Sequence, residues 1–175
     1  MTAALADLFV RRLEAQKTHV RRVVAAGVAD AVADVCAARG VRRLGVPPGL
    51  PREWRPAGVD VVEDRDLTPA DLDSLDGALT GCTSAIAETG SLVLAAGPAD
   101  GRRALSLVPD LHVCVVREDQ IEADLPEAMS IIAGLLREEV RPVVFISGPS
   151  ATSDIELHRV EGVHGPRRLV ALLVS

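Results

Sequence analysis

Leu111-His112-Val113-Cys114-Val115-Val116 runs almost wholly apolar across six positions. A strand with one wetted face alternates apolar and polar residues, so a run of this kind marks a strand covered on both faces. Working outward, Leu169–Val174, Val143–Ile146 and Val41–Val46 read the same way, the last closed by Pro47-Pro48-Gly49. Shorter strands are expected at His19–Val24, Val59–Val62, Ala78–Cys82 and Leu92–Ala96. Helical patterns lie between them. Leu5, Leu8, Phe9 and Leu13 define one face over residues 3–15; Val28, Val32, Val35 and Cys36 define a second, stopped by Gly40. Leu125, Ala128, Met129, Ile132 and Leu136 define a third, with Pro126 in its first turn and Pro142 beyond its end. In Thr68-Pro69-Ala70-Asp71 the hydroxyl caps, proline fits the first helical position and the carboxylate complements the dipole. Arg102–Leu107 reads as a helical turn, and Ser84–Thr89 as a short helix ended by Gly90. Buried strands alternating with helices predict an α/β fold, with a parallel or mostly parallel sheet and helices on both faces.

Composition agrees. The 175 residues suit one domain spanning 1–175, and 48% hydrophobic against 25% charged residues mark a globular chain. With only 2% aromatics, the core must be built from Ala, Val, Leu and Ile. The loop Leu50–Gly58 holds Trp54, whose ring is expected to lid a patch of core. Net charge is −6, and the pairs Arg21-Arg22, Arg42-Arg43, Arg102-Arg103 and Arg167-Arg168 are spread along the chain. Nucleic-acid binding calls for a basic stripe with stacking aromatics, so no nucleic-acid partner is expected. No apolar run approaches the ~20 residues needed to cross a bilayer, and no signal-peptide pattern opens the chain; no membrane insertion and a cytoplasmic location are expected. Cys36, Cys82 and Cys114 are dispersed, which argues against a disulfide framework or a cluster-binding motif. Each is expected to pack as a small apolar residue, with Cys82 the one to watch as a thiol because of its polar surroundings. The four histidines show no metal-ligand spacing, so no metal is expected; His112, inside an apolar strand, reads as a satisfied core residue.

Three polar, glycine-bearing segments stand out. Thr80 to Leu94 crowds Thr83, Ser84, Thr89 and Gly90 around one carboxylate, Glu88. At the end of an expected helix that carboxylate opposes the dipole, so it serves either as base, nucleophile or ligand-orienting acceptor, or as a structural acceptor for loop N–H groups. The second segment, Ser147-Gly148-Pro149-Ser150, follows a strand directly; backbone N–H groups and hydroxyls there would cradle an anion, though it is also an ordinary turn. Ser153 and Glu156 match a capping box, placing a helix start at Asp154. The charges of Asp154 and Glu156 oppose an anion unless they point away or bind a cation. The third segment, Gly162-Val163-His164-Gly165-Pro166, puts His164 in a turn, to meet a ligand or pin the loop. Because ligands in open α/β sheets bind beyond the carboxyl ends of strands, all three segments are expected to converge there.

Taken together, Ala87-Glu88-Thr89-Gly90-Ser91, Gly148-Pro149-Ser150 with Ser153-Asp154-Ile155-Glu156, and Gly162-Val163-His164-Gly165-Pro166 resemble the lactate utilization protein C family, the LUD domain, in order and spacing from about Gly77 onward. The resemblance implies a three-layer α/β fold similar to the NagB/RpiA/CoA-transferase-like superfamily of sugar-phosphate isomerases and CoA-transferases. It implies a part in oxidising L-lactate to pyruvate beside two partner proteins that carry iron–sulfur clusters, with no cofactor in this chain. Family members often carry a basic residue where this chain has Ala151, and the chain is short for the family, as if an N-terminal portion were missing or reduced.

Three functions follow as expectations. In a lactate-oxidising system, the chain would bind a small hydroxy- or keto-acid: Glu88 and Thr89 line the pocket, Ser147 to Ser150 receive the carboxylate, and His164 with Gly165 orients it. As an independent transferase- or isomerase-like enzyme it would use Glu88 as nucleophile or base, a reading supported by fold analogy alone. The third is a ligand-sensing module without turnover.

Overall fold

The computed structural model describes residues 2–153, 159–161 and 165–175. In chain order they form α1 (Thr2–Ala15), β1 (His19–Val23), α2 (Val28–Arg39), β2 (Arg43–Val46), β3 (Asp60–Glu63), α3 (Pro69–Asp73), β4 (Gly77–Thr80), β5 (Ser84–Ile86), β6 (Ser91–Leu94), α4 (Arg103–Leu107), β7 (Leu111–Arg117), β8 (Ile121–Glu122), α5 (Leu125–Glu138), β9 (Val144–Ile146), β10 (Ala151–Ser153), β11 (Arg159–Glu161) and β12 (Arg168–Val174). Six strands lie side by side in the order β1-β12-β7-β4-β2-β3, every neighbouring pair parallel.

The unbroken apolar run sits in this sheet's interior. Leu111, Val113 and Val115 of β7 join Val170, Leu172 and Val174 of β12 against Val28, Val32, Val35 and Cys36 of α2, and Trp54 packs on the same cluster. Cys114 and Val116, with Ala171 and Leu173, face the other way, beneath Phe9 and Leu13 of α1. Both faces of β7 and β12 are dry, as the sequence predicts. Each aliphatic side chain so buried contributes about 1.5–3 kcal/mol. Further along this second face, α3 and α4 supply Leu72 and Leu105 to a cluster over Ala78. The predicted Thr68 cap forms: its hydroxyl accepts from the Asp71 N–H at 3.2 Å, while the Asp71 carboxylate accepts the Thr68 N–H at 2.9 Å.

The edge strands carry charge. β1 exposes Arg21, which donates to Asp34 at 2.8 Å, and Arg22, which donates to Asp7. At the far edge, β3 starts at exposed Asp60 and ends at Glu63, which accepts from Arg55 at 2.8 Å.

Three expectations are corrected. Ser84–Thr89 is not a helix: Ser84, Ala85 and Ile86 are fully buried in β5 and pair antiparallel with Val93, Leu92 and Ser91 of β6. Their side chains must serve two faces at once, which a strand allows and a lone helical turn does not. The hairpin anchors a second, four-stranded sheet, β8-β5-β6-β9, absent from the single-sheet expectation. Val144–Ile146 forms a strand at the edge of that sheet rather than a buried one, leaving Phe145 46% exposed. One face of this sheet packs beneath α1, and the other is covered by Ala128 and Ile132 of α5. Among the described residues, no helix is long and apolar enough to cross a membrane.

Candidate functional site

The β5–β6 hairpin turns through residues 87–90, closed by the Gly90 N–H donating to the Ile86 carbonyl at 2.9 Å. Ala87 and Glu88 donate their N–H groups to the Glu122 and Ala123 carbonyls, which fastens the turn beside β8. Gly90 has φ +64°, and a Cβ there would lie 2.5 Å from the Leu13 nitrogen, so only glycine lets this turn seat on the last turn of α1. Just past α1, Gln16 Nε2 donates to the Thr89 carbonyl at 2.9 Å. The same residue presses on the second polar segment: Gly148, at φ +135°, approaches so closely that a Cβ would lie 2.7 Å from the Gln16 carbonyl oxygen.

Hydroxyls join the two segments. Thr89 Oγ1 donates to Ser91 Oγ at 2.8 Å, and Ser91 Oγ and Ser147 Oγ are hydrogen-bonded to each other at 2.7 Å. Beyond them, the Ser150 N–H donates to the Pro166 carbonyl at 2.9 Å, bringing Gly165 and Pro166 alongside. A pocket of about 260 Å³ opens here, lined by Ser147, Gly148, Ser150, Gly165 and Pro166 with Ser106, Leu107 and Val144–Ile146. Its described lining offers hydroxyl and backbone groups and no cationic side chain. That chemistry suits a small polar acid held by hydrogen bonds.

Of the expected residues, Ser147, Gly148, Ser150 and Gly165 line this pocket, while Thr89 and Gly90 stand outside the lining and reach it through the Ser91–Ser147 bond, and Pro149 lies within the same turn. The structure does not add Glu88, which is exposed at the hairpin tip and lies outside the pocket lining. Thr83 and Ser84 sit at the other end of β5. Thr83 Oγ1 donates to the buried Asp100 carboxylate and accepts from the Ala95 N–H at 3.2 Å, and Ser84 Oγ reaches the Gln120 carbonyl at 3.4 Å. Asp154, Glu156 and His164 lie outside the described residues, as does the helix start expected at Asp154. The rim is also not the expected one. Gly165–Pro166 precede β12 and Leu107 precedes β7, so this pocket lies by the amino-terminal ends of the parallel strands. The reason is that β9, which leads into Ser147, belongs to the second sheet.

Gln16 was missed in the sequence because nothing marks a polar residue past a helix end as a bridge. A larger cleft, about 520 Å³, also lies on the amino-terminal rim, between Arg39, Asp76 and Arg168. There Asp76 accepts the Arg42 and Arg43 N–H groups at 2.8 and 2.9 Å, and these bonds hold its carboxyl below the usual range. That is a structural acceptor binding its own backbone. Cys82 offers no activated thiol: the neighbouring Cys114 thiol and burial push its pKa up, whereas a nucleophilic cysteine needs it lowered.

Residues 6–174 match the sequence model of the LUD domain. The lactate utilization protein C of Deinococcus radiodurans is 53% identical over 135 residues, 77% of this chain and 63% of that protein. The protein of the same name from Bacillus subtilis is 32% identical over 133 residues, 72% of this chain and 55% of its own length. The matched region thus spans less than two thirds of these curated relatives. A crystal structure of a DUF162 family protein from Deinococcus radiodurans superposes with a TM-score of 0.86 at 39% identity, covering 100% of this chain and 99% of the other.

Proposed function

This chain belongs to the LUD domain family, and on that premise we propose that it serves L-lactate utilisation as a binding subunit. It holds a small hydroxy- or keto-acid in the pocket between Ser147 and Pro166, beside partner proteins whose iron–sulfur clusters carry the electrons. The observation supporting this reading is the hydroxyl chain Thr89–Ser91–Ser147, which ties the hairpin turn to a residue of the pocket lining. A lactate carboxylate would take hydrogen bonds from Ser147, Ser150 and neighbouring N–H groups, and its methyl group would rest on Leu107 and Phe145. Oxidation itself is assigned to the partners. Cys82 and Cys114 are buried side by side, whereas Cys36 lies in the cluster on the other face of the parallel sheet. The transferase- or isomerase-like alternative has less support, because Glu88 is exposed at the hairpin tip and does not line the Ser147 pocket.

Reconstitution tests the proposal. Lactate oxidation by the cluster-bearing partners is expected to fall to background when this chain is omitted; an unchanged rate would sink it. Lactate or pyruvate should raise the melting temperature of the isolated chain. Ser147→Ala should weaken that binding about tenfold and cost about 1 kcal/mol of stability through the lost Ser91 partner, while Glu88→Gln should leave binding unchanged.

A further inference from the structure

A second cleft, about 460 Å³, lies on the opposite rim of the parallel sheet, beyond the carboxyl ends of β2 and β3. Its walls include Gly49, from the loop after β2, and Ala96 and Pro98, from the loop after β6; Arg102, Glu139 and Arg141 supply its charge. We propose that this cleft binds the oxyanion group, carboxylate or phosphate, of a small metabolite between Arg102 and Arg141.

Arg102 is set in place before any ligand arrives. Its Nε donates to Asp64 Oδ2 at 2.7 Å and its Nη2 to Asp64 Oδ1 at 2.9 Å, with a further bond from Nη2 to the Leu67 carbonyl. The Asp64 side chain is only 2% exposed, so this two-point grip fixes the plane of the guanidinium. No partner engages its Nη1 among the described residues. The grip leaves one edge of a rigid, permanently charged fork to meet a ligand.

Arg141 is the less usual group. Its side chain is 21% exposed, yet among the described residues its only ion pair is with Glu139, which is 70% exposed, through Nη2 at 2.8 Å. Its Nε is buried and has no hydrogen-bond partner among the described residues. A guanidinium withdrawn this far from water needs compensation, and one solvent-screened carboxylate supplies little of it. An incoming oxyanion would displace Glu139 and engage Arg141 directly. The other acids near the cleft are already committed: Asp64 to Arg102, and Asp100 to the Thr83 hydroxyl and the Ala95 N–H. The loop wall carries Ala96 at φ +51°, a conformation that alanine rarely adopts and that the packing around it must enforce. The carboxyl rim of a parallel sheet is also where open α/β folds bind ligands. This site is separate from the Ser147 pocket and does not depend on the role proposed for it.

The test titrates the full chain with oxalate and, separately, with inorganic phosphate at ionic strength held constant with sodium chloride, read by calorimetry and by backbone amide resonances. At least one probe should bind saturably and shift Gly97 and Gly101 while leaving Ser147 and Gly148 in place; which probe does so identifies the oxyanion. Arg141→Gln should weaken that binding at least tenfold. Glu139→Gln, an exposed substitution that spares the fold, should strengthen it severalfold by removing the competing carboxylate. Binding of neither probe, binding that shifts Ser147 and Gly148 alone, undiminished affinity in Arg141→Gln or no gain in Glu139→Gln would overturn the proposal.

Discussion

His112 shows how far one side chain can depart from its setting. The strand around it is apolar, and the residue is wholly buried. The Thr80 hydroxyl donates to the Gly81 carbonyl at 2.8 Å, so it must accept from His112 Nε2, also at 2.8 Å. That fixes the Nε2–H tautomer. The other nitrogen, Nδ1, has no partner among the described residues, so there the satisfied core histidine expected from the sequence is only half satisfied. Burial pushes its pKa down from 6.5 to about 4. The folded state therefore refuses a proton that the unfolded chain accepts. Stability from this group is complete above pH 6.5 and is lost as pH falls from 6.5 to about 4. The loss amounts to about 3 kcal/mol at most. Urea denaturation at pH 7 and pH 4.5 should record most of it, and His112→Gln should flatten the profile over that interval.

At the level of elements, the β5–β6 hairpin is the least forgiving piece, because its turn is wedged against the end of α1. Gly90→Ala would force a left-handed alanine and drive its Cβ into the Leu13 backbone. Unfavourable φ and overpacking together should cost about 2–4 kcal/mol, lowering the melting temperature by roughly 4–16 °C for a chain of this size. A wild-type melting temperature in this variant would mean that the turn does not seat on α1 as described. This hairpin also marks where the sequence stops being legible. Strands such as Leu111–Arg117 and Arg168–Val174 announce themselves because both faces are apolar. Helix starts such as Thr68–Asp71 announce themselves through capping chemistry, which is local. Ser84–Ile86 carries no such signal: three small or apolar residues fit a helix as well as a strand, and pairing with Ser91–Val93 decides the matter. The site divides similarly. Thr89, Gly90 and Ser147–Ser150 were visible as polar, glycine-rich segments. Gln16, Asp64 and Arg141 were not, because their importance comes from partners distant in sequence.

For the molecule as a whole, α1 acts as the keystone of one side. Ala6, Phe9 and Leu13 are fully buried, in a cluster that includes Ala85 and Leu92 of the second sheet and Ala171 and Leu173 of the first. Removing residues 2–16 would uncover both sheets and take away Gln16, which braces the hairpin turn against Gly148. The shortened chain should lose its cooperative thermal transition and bind a hydrophobic dye such as ANS. A cooperative transition at the full-length temperature would show that the sheets hold together unaided. The parallel sheet itself ends in two open borders, where unpaired backbone groups could recruit another chain. On one border stand Arg21 and Arg22, and on the other Asp60 and Glu63. A second molecule laying a strand along either margin would have to strip water from these ions, which discourages fibril growth and helps keep a chain so rich in valine, leucine and alanine from aggregating.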